Sequence, residues 1–112
     1  MAPHKSQPGL VGRIGALSDA TRRDIVRRAI EGREGVAELA EHYPVSFAAV
    51  QKHIAILERA GLITKHQTGR RKVVRTNPAA LNAIRSLLDR YEELWRARIG
   101  RMTDLISQTR EG

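Results

Sequence analysis

The sequence predicts a mostly α-helical domain with one small β-hairpin and a long closing helix. Three observations lead there. Apolar residues recur at helical spacing in several short segments between Leu10 and Ala60. The stretch Leu62 to Asn77 instead alternates, is rich in β-branched residues and holds Thr68-Gly69 in its middle, as a two-stranded hairpin does. From Pro78 to about Gln108 a single apolar stripe continues at helical period.

At 112 residues the chain is one domain with an arm. Residues 1–9 are polar, with Pro3, Pro8 and Gly9, and read as a flexible N-terminal arm; residues 10–112 make the domain. Leu10, Ile14 and Leu17 mark a short first helix. Ser18 is expected to cap the second, DATRRDIVRRAIEG, with Ile25, Val26, Ala29 and Ile30 inside and Gly32 ending it. Arg22, Arg23, Arg27 and Arg28 line its outside, partly paired with Asp19 and Asp24. Gly35 opens a third helix, VAELAEHY, where Glu38 can return a bond to the start and Leu39, Ala40 and Tyr43 face inward.

Pro44 stops that helix, and Ser46 can cap a fourth by accepting from an early backbone N–H. Val50, Ile54 and Leu57 form its inner face, widened by Ile56. The other face carries Ala48, Ala49, Gln51, Lys52, Ala55 and Arg59. The third helix, the tight PVS turn and the fourth helix make a helix-turn-helix unit. Small residues and hydrogen-bonding side chains near a helix N-terminus suit a DNA major groove. An ordinary surface helix packed on a core has the same pattern, so context has to decide. Phe47, at the start, touches a thymine methyl or sugar, or packs under the turn.

The charge supplies that context. The formal net charge is +8 and the pI about 11.0, a balance that favours a polyanionic partner. The surplus is concentrated on the hairpin: Lys65 on its first strand, Arg70, Arg71, Lys72 and Arg75 on its tip and second strand, with no acid between Glu58 and Asp89. A basic hairpin beside a reading helix can hold phosphates or enter the adjoining minor groove. The absence of cysteine excludes disulfides, thiolate metal sites and cysteine nucleophiles. No G-x-G-x-x-G, P-loop or H-E-x-x-H occurs, and no histidine has partners for a triad, so an enzyme is not expected. RNA binding normally shows exposed aromatics, whereas Tyr43, Tyr91 and Trp95 read as buried. No apolar run spans a bilayer and MAPHKSQPGL has no signal-peptide core, so a cytoplasmic protein without membrane contact is expected.

Asn77-Pro78 caps and opens the last helix. Roughly 30 residues at 1.5 Å each give a rod of about 45 Å. A domain of this size has a radius of gyration near 13 Å, so the far half of the rod outruns its own body and needs another apolar surface. A second copy of the chain is the simplest source, giving a homodimer interface expected at Leu10, Ile14 and Leu17 of the first helix and Tyr91, Trp95, Ile99, Met102, Leu105 and Ile106 of the last. Tyr91 and Trp95 can line a pocket for a small apolar effector between subunits, or simply serve as core. An alternative use of the same helix is docking onto a different protein.

The segments ALSDATRRDIV, VAELAEHYPVSFAAVQKHIAILERAGLI and GRRKVVRTNPAAL together resemble the ArsR family of bacterial winged-helix repressors. The resemblance implies a winged helix-turn-helix with a long C-terminal dimerisation helix. It also implies a homodimeric, sequence-specific regulator of double-stranded DNA that binds a near-palindromic operator and releases it when conditions change. Ser46, Phe47, Ala48, Gln51, Lys52 and His53 then lie on the recognition helix, and Lys65, Arg70, Arg71, Lys72 and Arg75 on the wing. The C-terminal LLDRYEELWRARIGRMTDLI is similar to a subgroup that lacks metal sites and is often encoded beside small lipid- or hydrophobe-binding proteins. Family metal sensors use a cysteine pair in the third helix, where this chain has Ala37 to Ala40, or histidines on the last helix, where it has none. Neither a metal nor any other cofactor is expected, and release is expected to answer to a non-metal signal. His53 either donates to a phosphate or ties its helix to its neighbours.

Overall fold

A computed structural model describes residues 9–111, with side chains through Thr109. The expected arm, apart from Gly9, lies outside the described residues. Seven elements follow in order: α1 Leu10–Ala16, α2 Ala20–Ala29, α3 Val36–Ala40, α4 Phe47–Arg59, β1 Ile63–Thr68, β2 Arg71–Thr76 and α5 Pro78–Glu111. The mostly helical class with one hairpin and a long closing helix is as the sequence predicts.

Several local expectations are corrected. Asp19, not Ser18, caps α2: its carboxylate accepts from the Arg22 backbone N–H at 3.0 Å, while the Ser18 hydroxyl turns back to donate to the Gly15 carbonyl. Ile30 is the C-cap of α2, still in helical conformation, and on the helix's open side it is 65% exposed rather than inside. Arg22 is not on a solvated face. Its Nε donates to the Ala16 carbonyl at 2.6 Å, tying α2 to the end of α1. Helix α3 is one short turn and stops before His42.

Two glycines are dictated by geometry. Gly61 sits at φ 75°, just past the end of α4. Its N–H bonds to the Glu58 carbonyl and that of Leu62 to Leu57, a left-handed helix stop that turns the chain straight into the hairpin. Gly35 starts α3 where a Cβ would meet the Lys72 carbonyl at 2.8 Å, so only glycine lets the α3 turn lie against β2. Glu38 accepts from the Gly35 N–H, as expected.

The core joins all the helices to the root of the hairpin. Ile25, Leu39, Val50, Ile54, Leu57, Leu62, Ile63 and Val74 are all essentially inaccessible. The strands are antiparallel, from Ile63 opposite Thr76 to Thr68 opposite Arg71. The hairpin root is anchored by Val74 N–H to the Glu34 carbonyl, the Thr76 hydroxyl to the Val26 carbonyl, and Asn77 to the carbonyls of Gly61 and Leu62.

Only the first turns of α5 join this body. Ala80 is buried and Leu81 and Ile84 pack on the core, but from Leu88 to Thr109 every residue is exposed. The radius of gyration is 20.1 Å with extents of 73 × 41 × 24 Å, well above the roughly 13 Å of a compact chain this long. Tyr91 and Trp95 are each 59% exposed and are not core within their own chain. No described helix is long and apolar enough to cross a membrane.

A half-buried polar knot holds α3 against α2. The Tyr43 hydroxyl donates to Asp24 at 2.7 Å, and Arg27 and Arg28 bond the same carboxylate. The tyrosine bond and the two arginines hold the Asp24 carboxyl well below the usual carboxylate range. Burial, then the Asp24 bond, push the Tyr43 hydroxyl up to about 12. Tyr43→Phe should cost about 1.5–3 kcal/mol at neutral pH. A carboxyl lowered by folding stabilises fully above its unfolded pKa, about 3.9, and loses that contribution as pH falls toward its folded value. The gap between wild type and variant in urea melts should therefore be constant above about pH 5 and close in acid. A gap that has already closed between pH 5 and pH 4 would contradict this assignment, because the unfolded state is common to both chains and the gap depends only on their two folded values.

Candidate nucleic-acid interface

Helix α4 is placed by its cap and its buried face. The Ser46 hydroxyl accepts from the Ala49 N–H at 3.1 Å. Val50, Ile54 and Leu57 anchor the helix in the core. That leaves Phe47, Ala48, Gln51, Lys52, Ala55 and Arg59 exposed along the opposite side. Phe47 is 48% exposed and is not packed away under the turn. Together with Val36, Gln51, Ile54, Ala55 and Lys65 it lines a shallow groove between α4 and β1.

His53 is set apart from this row. It is half-buried, and its Nδ1 lies 3.3 Å from an Arg22 Nη1, which can only donate. Arg22 thus reaches from the end of α1 to the middle of α4, and His53 ties its helix to its neighbours. A second arginine makes a parallel link: Arg13 on α1 donates to the Ala60 carbonyl at the end of α4, at 3.3 Å.

The pleat divides the hairpin cations that the sequence grouped together. In the observed register, Lys65, Gln67, Lys72 and Val74 share one face, whereas Arg71, Val73 and Arg75 share the other. Lys65 borders the α4 groove and lies 3.6 Å from Glu58. Lys72 shares that face, and Arg70 occupies the two-residue tip with Gly69. Arg71 folds back on the body, bonding Glu38 and the Arg33 carbonyl. Arg75 lies along Gly32. Lys52, Arg59, Arg70, Lys72 and Arg75 make no ion pair among the described residues. Gln67 and Arg59 were not among the expected contacts. Gln67 was discoverable from the two-residue alternation starting at Ile63, and Arg59 from helical phase.

The residues expected to pair two copies fall into two groups. Tyr91, Trp95, Ile99, Met102, Leu105 and Ile106 are between 43% and 62% exposed, as is Ile14 at 43%. Leu10 and Leu17 are half-buried, Leu17 packing on one side against the core of its own chain. Among the described residues no three His, Asp or Glu side chains converge as a metal site requires. The geometry amounts to a helix offering hydrogen bonds and small side chains, flanked by a hairpin bearing free cations at its tip.

Comparison with known proteins gives the same architecture. Residues 19–65 match the profile of the family described as "Bacterial regulatory protein, arsR family". The HTH-type transcriptional regulator Rv2034 of Mycobacterium tuberculosis is 43% identical over 76 residues, covering 68% of this chain and 71% of that one. The transcriptional repressor SdpR of Bacillus subtilis is 35% identical over 54 residues, 48% of this chain and 60% of that protein. Among solved structures, an ArsR-like transcriptional regulator from Rhodococcus sp. RHA1 is 30% identical with a TM-score of 0.74, covering 86% of this chain and 91% of that one. The homodimeric winged helix-turn-helix DNA-binding domain of Mb0332 from Mycobacterium bovis shares the fold at 20% identity and a TM-score of 0.57, over 75% of this chain and 80% of that one.

Proposed function

The chain belongs to the ArsR family of bacterial regulatory proteins and is a DNA-binding transcriptional regulator rather than an enzyme; from that premise we propose that it works as a cytoplasmic, homodimeric repressor of a near-palindromic operator, released by a signal other than a metal. The observation that carries this reading is the groove that the exposed α4 residues Phe47, Gln51 and Ala55 share with Lys65 of the basic hairpin. Repression is supported by the likeness to SdpR, and dimerisation by the uncovered face of α5 and the homodimeric Mb0332 domain.

Within that reading α4 enters the major groove. Gln51 suits the two-bond edge of adenine and Lys52 that of guanine, while Phe47 and Ala48 suit a thymine methyl. Arg70 and Lys72 hold phosphates beside it, Lys65 closes the groove between helix and hairpin, and Ser46 fixes the helix end. His53 and Arg71 act from behind, one steadying α4 and the other the hairpin. The test begins with selection of bound duplexes from a random pool, which should return a pseudo-palindrome. On that duplex Gln51→Ala should cost about 1–3 kcal/mol and little on random DNA, whereas Lys72→Ala should weaken both alike. If Gln51→Ala weakens random DNA equally, α4 does not read bases.

A further inference from the structure

We infer that Glu38 is a positioning residue for DNA binding: it holds Arg71 of the hairpin away from the DNA backbone and so limits how many phosphates the protein grips. This rests on the DNA-binding reading above and adds a limit to it. Arg71 pairs with Thr68 in the last rung of the ladder, next to the tip residue Arg70, so its place in the chain groups it with the phosphate-holding cations. The structure turns it the other way. The pleat sets Arg71 on the face opposite Lys72. Its Nη2 donates to the Arg33 carbonyl at 3.1 Å and to the Glu38 carboxylate.

The surroundings of Glu38 keep that hold in place. The oxygen that takes the arginine, Oε1, also accepts from the Gly35 backbone N–H at 3.0 Å, which pins the carboxylate to the start of α3. The same stretch carries the second strand. Gly35 lies where a Cβ would come within 2.8 Å of the Lys72 carbonyl, and the Val74 N–H bonds the Glu34 carbonyl at 2.8 Å. Both acceptors of Arg71 thus move with the strand that bears it. The Glu38 and Arg71 side chains are 49% and 54% exposed, and a loose pair that exposed would be weak. Here one partner is already fixed, the bond is charge-assisted, and a carbonyl takes the same Nη2. A phosphate that captured Arg71 would have to replace both acceptors at once. Arg70 and Lys72 beside it make no ion pair among the described residues, so the restraint falls on one cation of the three.

Glu38→Gln separates the two bonds of this oxygen. An amide oxygen still accepts from the Gly35 N–H, as glutamine does in a capping box, but without charge it holds a guanidinium about half as strongly. In the full-length protein the variant should bind a random duplex more tightly than wild type. One further phosphate per wing, two in a dimer, steepens the slope of log K against log salt by about 1.8. The advantage over wild type should therefore shrink about 12-fold between 50 and 200 mM salt. Glu38→Ala cannot hold the arginine at all; it should steepen the slope at least as much, which guards against an amide that still grips. Arg71→Ala alone should leave the slope at the wild-type value, and Glu38→Gln combined with Arg71→Ala should return to it. A double variant that keeps the tighter binding would trace the effect to a lost negative charge near the DNA and overturn the proposal. If Glu38→Gln and Glu38→Ala both keep the wild-type slope, the proposal falls while the DNA reading stands. A wild-type slope near zero would remove both.

Discussion

Ile99→Glu should convert the protein to a monomer and remove most of its operator affinity while leaving it folded. Ile99 is 43% exposed and lies in the stretch of α5 that touches nothing in its own body, so the substitution disturbs no core within the chain. In the proposed dimer it sets a carboxylate inside an apolar contact. That costs several kcal/mol against the association free energy. A monomer presents one α4 to one half-site, whereas a dimer fixes two reading helices about one DNA turn, roughly 34 Å, apart. Circular dichroism, sedimentation and operator titration on one preparation give the three answers needed. A folded monomer that binds the full operator as tightly as wild type would refute the coupling of assembly to recognition. A variant that remains dimeric would show that the interface lies elsewhere, with α1 the next surface to test.

Operator affinity should also fall steeply with salt. Lys52, Arg70 and Lys72, joined by Arg59 and Arg75, make no ion pair among the described residues, and a dimer doubles them. Neutralising on the order of 6–10 phosphates gives a slope of log K against log salt of about −5 to −9. Between 50 and 200 mM salt that is a loss of about 10³ to 10⁵ in affinity. Arg71 should contribute less to this slope than its position suggests, because Glu38 already holds it. A slope near zero would mean that the basic hairpin does not meet a nucleic acid backbone.

The elements were legible because each follows from a local rule. Helical spacing gave α1 to α5, β-branched alternation gave the hairpin, and Ser46 and Asn77 announced their helices. What escaped was set by contacts distant in the chain. Ser18 and Asp19 are both good caps, and it is Asp19 that stands in extended backbone at the N-cap position, while the Ser18 hydroxyl donates to the Gly15 carbonyl. Nothing local reveals that Arg22 reaches both Ala16 and His53, residues 6 and 31 positions away. The same holds for Arg71 and Glu38, which lie 33 apart. The row of α4 could be read from helical phase, but which hairpin cations stand beside it depends on register, and register is fixed by burial of Ile63 and Val74. Exposure of Tyr91 and Trp95 could not be foreseen from spacing, because an apolar stripe looks the same whether its own body or another chain covers it.

The bare far half of α5 makes protein abundance a control variable. When two chains must meet before either α4 has a matched partner, operator occupancy at low concentration rises with the square of the amount of chain, and doubling the copy number raises it about fourfold. Modest changes in synthesis or degradation then act as a threshold on the controlled genes, even with no bound signal. The steepness of that threshold is set by the apolar residues beyond Leu88, far from any base.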